Sequence, residues 1–349
     1  MKIIVSAGGT GGHIYPALSV IETLKKDKNN EFLFIGTKTR MESKIVPEKG
    51  IKFVGLDIYG LSKNIFTDIK NMHLIIKSYK ECKKIMKEFK PDYVIGFGGY
   101  VTFPVLLAAN KLGIKTAIHE QNKIPGKTNK LLSKKVDTTF ISFEESKKYF
   151  NNNVIYSGNP VNEVAAKRKA HDKTKLGFSK DKKLIIIVMG SLGSDSVNQK
   201  LIDFLSTFKS KTHEILFITG KGSYDKYKDL KYPKSVKVVP YYDDLSGLMK
   251  ASDIIISRAG ASTISEILSL DLPSILIPSP YVANNHQYYN ALDLKERNLS
   301  LMLEEKDLNS KTLNDKIEEC IKKYDILKDN LKKEKKLKSS TIIVEEIKK

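Results

Sequence analysis

The sequence has few of the residues that mark several common classes of protein. It contains no tryptophan and two cysteines, Cys82 and Cys320, which stand far apart. Such a pair makes neither a metal-binding pattern nor a disulfide framework, so we expect a reducing compartment. No apolar run approaches the ~20 residues that a membrane-spanning helix needs. Lys2 is followed by one short apolar run and then glycines, which leads us to expect no signal peptide.

Positive charge is what the sequence has in excess. The formal net charge is +20 over 349 residues, which predicts affinity for an anionic partner such as nucleic acid, a phosphorylated ligand or an acidic membrane surface. A nucleic-acid-binding protein would interleave aromatic and basic residues in a recognisable module. The sequence shows no such module, so we expect no nucleic-acid partner.

Apolar runs alternate with amphipathic stretches along the chain, which is typical of a doubly wound parallel sheet. The alternation breaks near Gly158-Asn159-Pro160 and restarts at Leu184–Met189. The sequence therefore predicts an α/β protein of two Rossmann-like halves in tandem, with a boundary near residue 160. The predicted strands are Ile3–Ala7, Phe32–Ile35, Phe53–Leu56, Tyr93–Gly96, Thr116–His119, Thr138–Ser142, Leu184–Met189, Glu214–Thr219, Val236–Val239, Asp253–Ser257 and Ser274–Pro278.

A glycine-rich turn, Gly8 to His13, lies between the first predicted strand and a predicted helix, Ile14–Lys25. Ligands of open α/β sheets bind at such strand ends, and glycines let the backbone approach an anion closely. His13 adds an imidazole at the helix start. The dinucleotide fingerprint is incomplete because Ile14 stands where its third glycine would be, so we expect no nicotinamide cofactor. The alternative is a turn that serves only to pack the helix on the strand.

Two further strand ends in the first half carry polar or glycine-rich sequence. Gly96–Tyr100 forms a second glycine turn, and His119–Asn122 is a run of four polar residues. Parallel strands end at one edge of a sheet, so both segments predict an active-site rim. A core histidine satisfied by backbone is the alternative for His119, and the neighbouring Glu120 and Asn122 favour the functional interpretation.

The second half repeats the pattern. Gly190–Ser194 is a glycine turn, and Arg258–Thr263 leaves a strand and enters a helix whose first amides are free to bind phosphate. Glu266, one turn into that helix, could accept hydrogen bonds from a ribose diol. The alternatives are a helix-capping role for Glu266 and a surface ion pair for Arg258.

Two other polar clusters occur in this half. The amide-rich segment 284–290 suits sugar hydroxyls, because amides both donate and accept hydrogen bonds. The acids Asp243 and Asp244 precede a predicted helix and are expected to cap it. Since no D-x-D pair stands at a strand end, we expect no metal.

Together these motifs resemble the MurG family of bacterial N-acetylglucosaminyltransferases, which belongs to glycosyltransferase family 28. The matching pieces are Gly8–His13, Gly96–Tyr100, His119–Asn122, Gly158–Val161, Gly190–Ser194, Arg258–Glu266 and His286–Ala291. The resemblance implies the GT-B fold, with two Rossmann-like domains whose parallel sheets face each other across a cleft. Residues 1–159 would bind acceptor and membrane, and residues 160–332 would bind the donor. A terminal helix of about 333–349, which the residues alone place on either half, would pack back on the first domain.

The resemblance also implies an activity. The family transfers N-acetylglucosamine, with inversion, from UDP-N-acetylglucosamine to the C4 hydroxyl of undecaprenyl-diphospho-N-acetylmuramyl-pentapeptide (lipid I). The product is lipid II, a peptidoglycan precursor, made by a peripheral protein at the cytoplasmic face of the membrane without cofactor or metal. Alternatives on the same fold are a diacylglycerol glucosyltransferase and a UDP-N-acetylglucosamine 2-epimerase.

Site residues follow from matching positions in the family motifs. His13 would be the general base or would position the acceptor, with Tyr100 and Glu120 as further catalytic candidates. The acceptor diphosphate would meet Gly8, Gly9, Gly98 and Gly99. The donor would meet Thr10, Gly11, Gly12, Asn122, Asn162, Ser191, Tyr242, Arg258, Gly260, Ala261, Ser262, Thr263, Glu266 and Gln287. The sequence departs from the family at Asn162, where arginine is frequent, and at His286-Gln287, where a glutamine pair is expected.

The segment 61–90 is basic and amphipathic. Apolar residues at helical spacing alternate with seven lysines between Lys70 and Lys90. Such a segment can lie on an anionic membrane surface. An ordinary surface helix with a solvated lysine face is the alternative, and the membrane-bound acceptor implied by the family favours docking.

Overall fold

The computed structural model describes residues 1–60, 65–190 and 193–349, with the side chains of residues 65–70 left out of the description. The chain forms two compact units. Unit 1 comprises Met1–Glu163 and Leu337–Lys349, and unit 2 comprises Val164–Lys336. Each unit holds one parallel sheet, so the predicted α/β class with two sheets is confirmed. Along the chain, the division falls after Glu163, four residues beyond the predicted boundary at residue 159.

The elements alternate along the chain as the apolar pattern predicts. The strands are β1 (Lys2–Ser6), β2 (Glu31–Thr37), β3 (Lys52–Leu56), β4 (Tyr93–Gly96), β5 (Lys115–Glu120), β6 (Thr138–Ile141), β7 (Asn153–Tyr156), β8 (Lys183–Val188), β9 (His213–Ile218), β10 (Val236–Val239), β11 (Ile254–Ser257), β12 (Ser274–Leu276) and β13 (Leu301–Met302). The helices are α1 (Gly11–Leu24), α2 (Glu42–Glu48), α3 (Ile65–Phe89), α4 (Thr102–Lys111), α5 (Lys127–Leu132), α6 (Val161–Lys167), α7 (Asp195–Thr207), α8 (Tyr224–Tyr227), α9 (Leu245–Lys250), α10 (Ala261–Ser269), α11 (His286–Glu296), α12 (Ser310–Lys322), α13 (Tyr324–Lys333) and α14 (Ser339–Ile347). Short 3-10 turns lie at Glu144–Tyr149, Ala283–Asn285 and Glu305–Asp307.

Both sheets are doubly wound. Strand order in unit 1 is β3-β2-β1-β4-β5-β6-β7, and in unit 2 it is β10-β9-β8-β11-β12-β13. In each sheet the order reverses next to the first strand, between β1 and β4 and between β8 and β11. A crevice at the carboxyl ends of the strands forms at such a reversal, and ligands of this fold class bind there.

Helices cover both faces of the sheet of unit 1. Successive residues of a strand point to opposite faces, so neighbouring residues of β1 pack against different helices. Ile3 and Val5 of β1 share a buried cluster with residues of α1 and α14. Ile4, between them, lies in a second cluster with residues of α3 and α4. Helix α14 therefore belongs to the core of unit 1, which settles the placement that the residues alone leave open.

No helix in the described ranges is both long enough and apolar enough to cross a membrane.

His119, at the end of β5, is a core residue that bonds to backbone, as the alternative interpretation predicts; a functional role for it stays untested. The ring is fully buried. Its Nε2 lies 3.0 Å from the Gly158 carbonyl oxygen, to which it donates, and Nδ1 accepts from Gln121 Nε2 at 3.0 Å. Burial, opposed by the bond to Gly158, lowers the pKa of His119 to about 4. The imidazole therefore links β5 to the segment after β7 as a neutral hydrogen-bonding group.

The low pKa of His119 predicts acid sensitivity of unit 1. An unfolded histidine takes up its proton near pH 6.5 and the folded one near pH 4, so this contribution to stability is complete above about pH 6.5 and declines as the pH falls toward 4. At pH 5 the loss is about 2 kcal/mol of unfolding free energy. Denaturant titrations at pH 7 and pH 5 measure the unfolding free energy at each pH. Between these pH values, His119→Gln should lose about 2 kcal/mol less unfolding free energy than the parent. The exposed His73→Gln serves as control, and equal losses in parent and His119→Gln would contradict the assignment.

Candidate active site

The two glycine turns of unit 1 meet at the reversal between β1 and β4. The Gly8 amide donates to the Gly98 carbonyl oxygen at 3.2 Å. Gly99 has a left-handed backbone with φ of 87°, and a Cβ atom there would lie 2.5 Å from the Gly8 carbonyl oxygen. A side chain at Gly99 would therefore push the turns apart.

The amides of these turns divide into two groups. Gly8 donates to Gly98, and Gly9 donates to the buried Glu42 carboxylate at 3.2 Å. The remaining amides, those of Gly11, Gly12, Gly98 and Gly99, donate to no residue that the structure describes. Two of the four glycines predicted to hold an acceptor diphosphate thus have their N–H groups engaged within the protein. The open amides are those at the start of α1 and in the second turn.

His13 lies between the two turns. Its Nδ1 is 3.0 Å from the Gly8 carbonyl oxygen and 3.4 Å from Thr10 Oγ1. Because a carbonyl oxygen can only accept, the proton of the neutral ring belongs on Nδ1, and Nε2 keeps its lone pair. A Cβ atom at Gly98 would lie 3.0 Å from Nε2, so this nitrogen lies against the second turn. The arrangement suits a proton acceptor.

Glu120 holds its own loop. Its carboxylate is 1% exposed and accepts from the amides of Asn122 and Gly126 at 2.9 and 3.0 Å. The side-chain amides of Asn122 and Asn129 add bonds of 3.2 and 2.9 Å. These four donors favour a structural role over proton transfer. The catalytic role of Glu120 and the donor contact of Asn122 stay predictions.

Two other predicted residues of unit 1 have defined neighbours. The Tyr100 ring packs against Gly60, where a Cβ atom would lie 3.2 Å from Cδ1. Asn162 donates from Nδ2 to the Leu337 carbonyl oxygen at 2.9 Å, which ties α6 to the returning terminal segment. The Asn162 side chain is thus engaged in the fold, and its predicted donor contact remains untested.

Unit 2 also has a glycine turn after its first strand, and there the turn lies against the end of β9. Gly190 and Gly193 have φ of 86° and 77°, and Gly193 lies too close to the Thr219 carbonyl oxygen to accept a side chain. Gly260 precedes α10 in an extended conformation, so the amides of Ala261, Ser262 and Thr263 begin the helix. The predicted donor contact Ser191 lies outside the described residues.

The start of α10 also offers an unused hydroxyl. Ser262 Oγ is buried and bonds to nothing in the described part of the chain. An orphaned hydroxyl beside free helix amides fits an anionic ligand, because both would donate to it.

Glu266 lies one turn further along α10. It accepts from Ser246 Oγ at 2.6 Å. Burial raises the pKa of Glu266 to about 7, the Ser246 hydrogen bond opposes the shift, and the charge of Asp244 adds to it. A carboxyl group with this pKa changes its charge near neutral pH.

The loop before α9 contributes further charged and aromatic residues near Glu266. Asp244 caps α9 by accepting from the Gly247 amide, which confirms the predicted capping role. His171 Nε2 is 3.2 Å from Asp244 Oδ2, and the His171 ring contacts Tyr242 edge to face with centroids 5.3 Å apart. Tyr242 is therefore held beside Asp244.

Arg258 is buried in an ion pair. Its Nη2 lies 2.6 Å from Glu305 Oε2 and donates to Ser194 Oγ at 2.8 Å, while Nη1 donates to the Ile277 carbonyl oxygen at 3.3 Å. The surface ion pair considered as an alternative is thus a buried one. Arg258 connects the glycine turn after β8 to the end of β12, and a direct donor contact remains a prediction.

The loop before α11 is strained. Asn284 and Asn285 are both left-handed, with φ of 54° and 48°. Gln287 Oε1 accepts from the Ser279 amide at 2.9 Å, which leaves the carboxamide NH2 as a donor with no described partner. Strain of this kind clusters at ligand-binding loops.

The sequence analysis misses Glu42, Ser246 and Glu305. Each contacts a residue it singled out, but each lies in another part of the chain, with Gly9 and Glu42 33 positions apart. Their one sequence signal is an acid or hydroxyl near the start of a short helix, which a helix cap explains equally well.

Comparison with known families matches both units. Residues 3–141 match the glycosyltransferase family 28 N-terminal domain, and residues 184–346 match the family 28 C-terminal domain.

Curated relatives resemble the chain over nearly its full length. A Bacillus licheniformis protein is 44% identical over 90% of this chain and 88% of its own length. A Bacillus subtilis protein is 40% identical over 97% of this chain and 95% of its own length. Both are named UDP-N-acetylglucosamine–N-acetylmuramyl-(pentapeptide) pyrophosphoryl-undecaprenol N-acetylglucosamine transferase.

Solved structures share the architecture. The crystal structure of Acinetobacter baumannii MurG superposes with a TM-score of 0.80 at 25% identity and covers 99% of both chains. A putative UDP-N-acetylglucosamine 2-epimerase from Listeria monocytogenes reaches 0.70 at 13% identity, covering 99% of this chain and 95% of its own, which shows the fold alone.

Proposed function

The chain belongs to glycosyltransferase family 28, and we propose that it transfers N-acetylglucosamine from UDP-N-acetylglucosamine to the C4 hydroxyl of lipid I, giving lipid II. The observation that carries this proposal is the likeness, over 88% or more of their length, to relatives named for that transfer. The MurG structure supports it at full coverage. Two glycine turns in unit 1, and in unit 2 a helix start with an unpartnered Ser262 hydroxyl, fit the two substrates.

Unit 2 supplies the donor contacts in this proposal. The amides of Ala261, Ser262 and Thr263 and the unpartnered Ser262 hydroxyl would bind the UDP diphosphate, and Glu266 would accept hydrogen bonds from the ribose. The backbone at Tyr242 would hold uracil, and the free NH2 group of Gln287 would reach the sugar. Fixed donors at the diphosphate stabilise the charge that develops as UDP departs.

Unit 1 supplies the acceptor contacts. The open amides of Gly98 and Gly99 would bind the lipid diphosphate, whereas Gly11 and Gly12 keep their predicted contact with the donor. His13 Nε2 would take the proton of the C4 hydroxyl while that oxygen attacks C1 of N-acetylglucosamine. The bond from C1 to the UDP oxygen breaks, and UDP leaves with the electron pair, so the configuration at C1 inverts.

Membrane docking through α3 is part of the proposal. Met72 and Ile76, one turn apart, are 49% and 50% exposed. Exposed lysines continue along the helix at Lys77, Lys80, Lys84 and Lys87. Residues 61–64 and the side chains of 65–70 lie outside the described part of the chain, so the surface is defined by residues 72–87. Apolar groups followed by ammonium groups suit the interface of an anionic bilayer at the cytoplasmic face of the membrane.

Acceptor choice tests the function directly. UDP release should be fast with lipid I and near background with diacylglycerol or without acceptor. His13→Ala should lower turnover with lipid I while leaving the KM for UDP-N-acetylglucosamine within about twofold, since a lost proton acceptor affects the chemical step. Transfer to diacylglycerol, or epimerisation of the donor without acceptor, would replace the proposal.

Glu266 predicts a pH-dependent donor affinity. Its carboxylate form accepts hydrogen bonds from both ribose hydroxyls, and with a pKa of about 7 that form is lost as the pH falls. The KM for UDP-N-acetylglucosamine should therefore rise below pH 7 in the parent. Glu266→Gln should have a KM raised roughly tenfold at pH 8 and flat with pH. Ser246→Ala removes the bond that favours the charged form, so its KM should begin to rise at a higher pH. If the KM of the parent does not change with pH, Glu266 does not bind the ribose of the donor.

Charge reversal tests the docking surface. Lys77→Glu, Lys80→Glu and Lys84→Glu together should weaken binding to vesicles of anionic lipid by more than tenfold, since each basic residue contributes about 1 kcal/mol at such a surface. Turnover of a soluble acceptor analogue should stay unchanged. The matched control reverses three exposed lysines elsewhere in unit 1, namely Lys28, Lys44 and Lys49. Equal loss of vesicle binding in both triple variants would show that the net charge of the protein, and not the α3 surface, determines vesicle binding.

A further inference from the structure

The peptide group that joins Gly8 to Gly9 is hydrogen-bonded at both ends. Its carbonyl oxygen, on Gly8, accepts from His13 Nδ1 at 3.0 Å. Its N–H, on Gly9, donates to Glu42 Oε2 at 3.2 Å. A carboxylate, one peptide group and an imidazole therefore form a continuous chain of hydrogen bonds that ends at Nε2 of His13.

Glu42 is built into this position. It is the first residue of α2, and its side chain is 0% exposed. Its second oxygen, Oε1, accepts from the Thr37 amide at 3.0 Å and from Thr37 Oγ1 at 2.6 Å. No lysine or arginine in the described ranges forms an ion pair with it. Three donors satisfy the buried carboxylate while its negative charge remains without a cationic partner.

Glycines at two positions make room for this carboxylate. A Cβ atom at Gly8 would lie 2.7 Å from Glu42 Oε1, and one at Gly36 would lie 2.7 Å from Glu42 Cγ. Both contacts are shorter than packed atoms tolerate. The turn that carries His13 and the turn after β2 are thus shaped around one side chain.

We propose that Glu42 is a positioning residue for the transfer reaction and acts on His13 through the Gly8–Gly9 peptide. The inference rests on the proposed function, because it takes His13 as the proton acceptor. The chain of bonds holds the proton on Nδ1 and directs the lone pair of Nε2 toward the substrate. It also places a negative charge where it stabilises the imidazolium that forms when Nε2 takes the hydroxyl proton.

The physical basis is cooperative polarisation. The Glu42 carboxylate accepts a hydrogen bond from the Gly9 N–H and polarises that peptide group. The negative partial charge on the Gly8 oxygen therefore increases, and the hydrogen bond from His13 Nδ1 becomes stronger. Serine hydrolases obtain a similar effect from an aspartate bonded directly to histidine. Here one peptide group lies between the two side chains.

Few other charged groups lie on the elements around His13. The loop after β2 carries the exposed Lys38 and Arg40, and the turn after β4 carries Tyr100. Tyr15 of α1 packs on Gly11, and Glu120 is bonded within its own loop. Glu42 is the acid that reaches the His13 ring through hydrogen bonds of the described residues.

The test compares Glu42→Gln with Glu48→Gln, the same change at an exposed position of the same helix. Glu42→Gln should lower kcat by roughly three- to tenfold, the range of a single hydrogen bond, and leave the KM for UDP-N-acetylglucosamine unchanged. In a plot of kcat against pH, the acidic limb of Glu42→Gln should lie at lower pH than that of the parent. The difference in kcat between the two proteins should therefore shrink as the pH falls. Glu48→Gln should match the parent. Thr37→Val, which keeps the charge and the Gly9 bond, should leave the limb in place.

A double-mutant cycle separates this role from general destabilisation. In a His13→Ala background, Glu42→Gln should cause no further loss of kcat, because its effect passes through the imidazole. A loss by the same factor in both backgrounds, or a deficit independent of pH, would overturn the proposal. If Glu42→Gln is recovered unfolded, Glu42→Asp, which withdraws the charge by one methylene, takes its place with the same expected direction.

A measurement without substrate makes failure of this inference distinguishable from failure of the proposed function. Nitrogen-15 NMR of the His13 ring should show the Nδ1–H tautomer in the parent and a smaller fraction of it in Glu42→Gln. Equal tautomer fractions would contradict the role of Glu42 whatever reaction the protein performs. A parent enzyme that shows the tautomer but no transfer to lipid I would contradict the function and leave the hydrogen-bonded chain intact.

Discussion

The contact of backbone on backbone at the end of β1 is the constraint on which the candidate site of unit 1 depends. The turns after β1 and β4 approach so closely that Gly99 has no room for a side chain beside the Gly8 carbonyl. That approach places the imidazole of His13 against Gly98. A close approach of backbone on backbone also occurs in unit 2, where Gly193, after β8, lies against the Thr219 carbonyl at the end of β9. In both sheets, glycines without side chains let strand ends approach closely, and polar groups from distant segments then hydrogen-bond to the turns.

Most charged side chains described at these two edges form hydrogen bonds or ion pairs within the protein. Glu42 accepts from the Gly9 amide of the turn after β1, and Glu120 accepts from the Gly126 amide of its own loop. Arg258, the cation nearest to the start of α10 in sequence, is paired with Glu305. In the proposed function, main-chain amides and hydroxyl groups would therefore bind the anionic parts of the substrates. These donors have fixed directions and need no counterion, which suits a substrate whose charge changes as a phosphate leaves.

The sequence predicts the central strands to within two residues, since an apolar run covered on both faces has a strong signal. It misses β7 and β13. Strand β7 has exposed ends and half-buried centre residues, and β13 is two residues long. These two edge strands have little apolar sequence of their own, unlike the edge strands β3 and β10, whose apolar runs predicted them.

Within the candidate site, the glycine turns and helix starts are visible in sequence because each lies in one short segment. Hydrogen-bond partners are not, because they come from distant segments. Ser196 and Glu305, 109 positions apart, bond across unit 2. The sequence also did not reveal that Glu120 and Asn122 bond to each other while the His119 ring lies in the core.

Because helix α14 completes unit 1, the two units can finish folding at different times during synthesis. Unit 2 is contiguous, so it can close as soon as Lys336 has left the ribosome. Unit 1 cannot, because Ile343, Val344 and Ile347 complete the same buried cluster as Ile3. Until those last residues emerge, the apolar side of α1 stays open to solvent and to chaperones. The half of the protein that is made first is thus the half that finishes folding last.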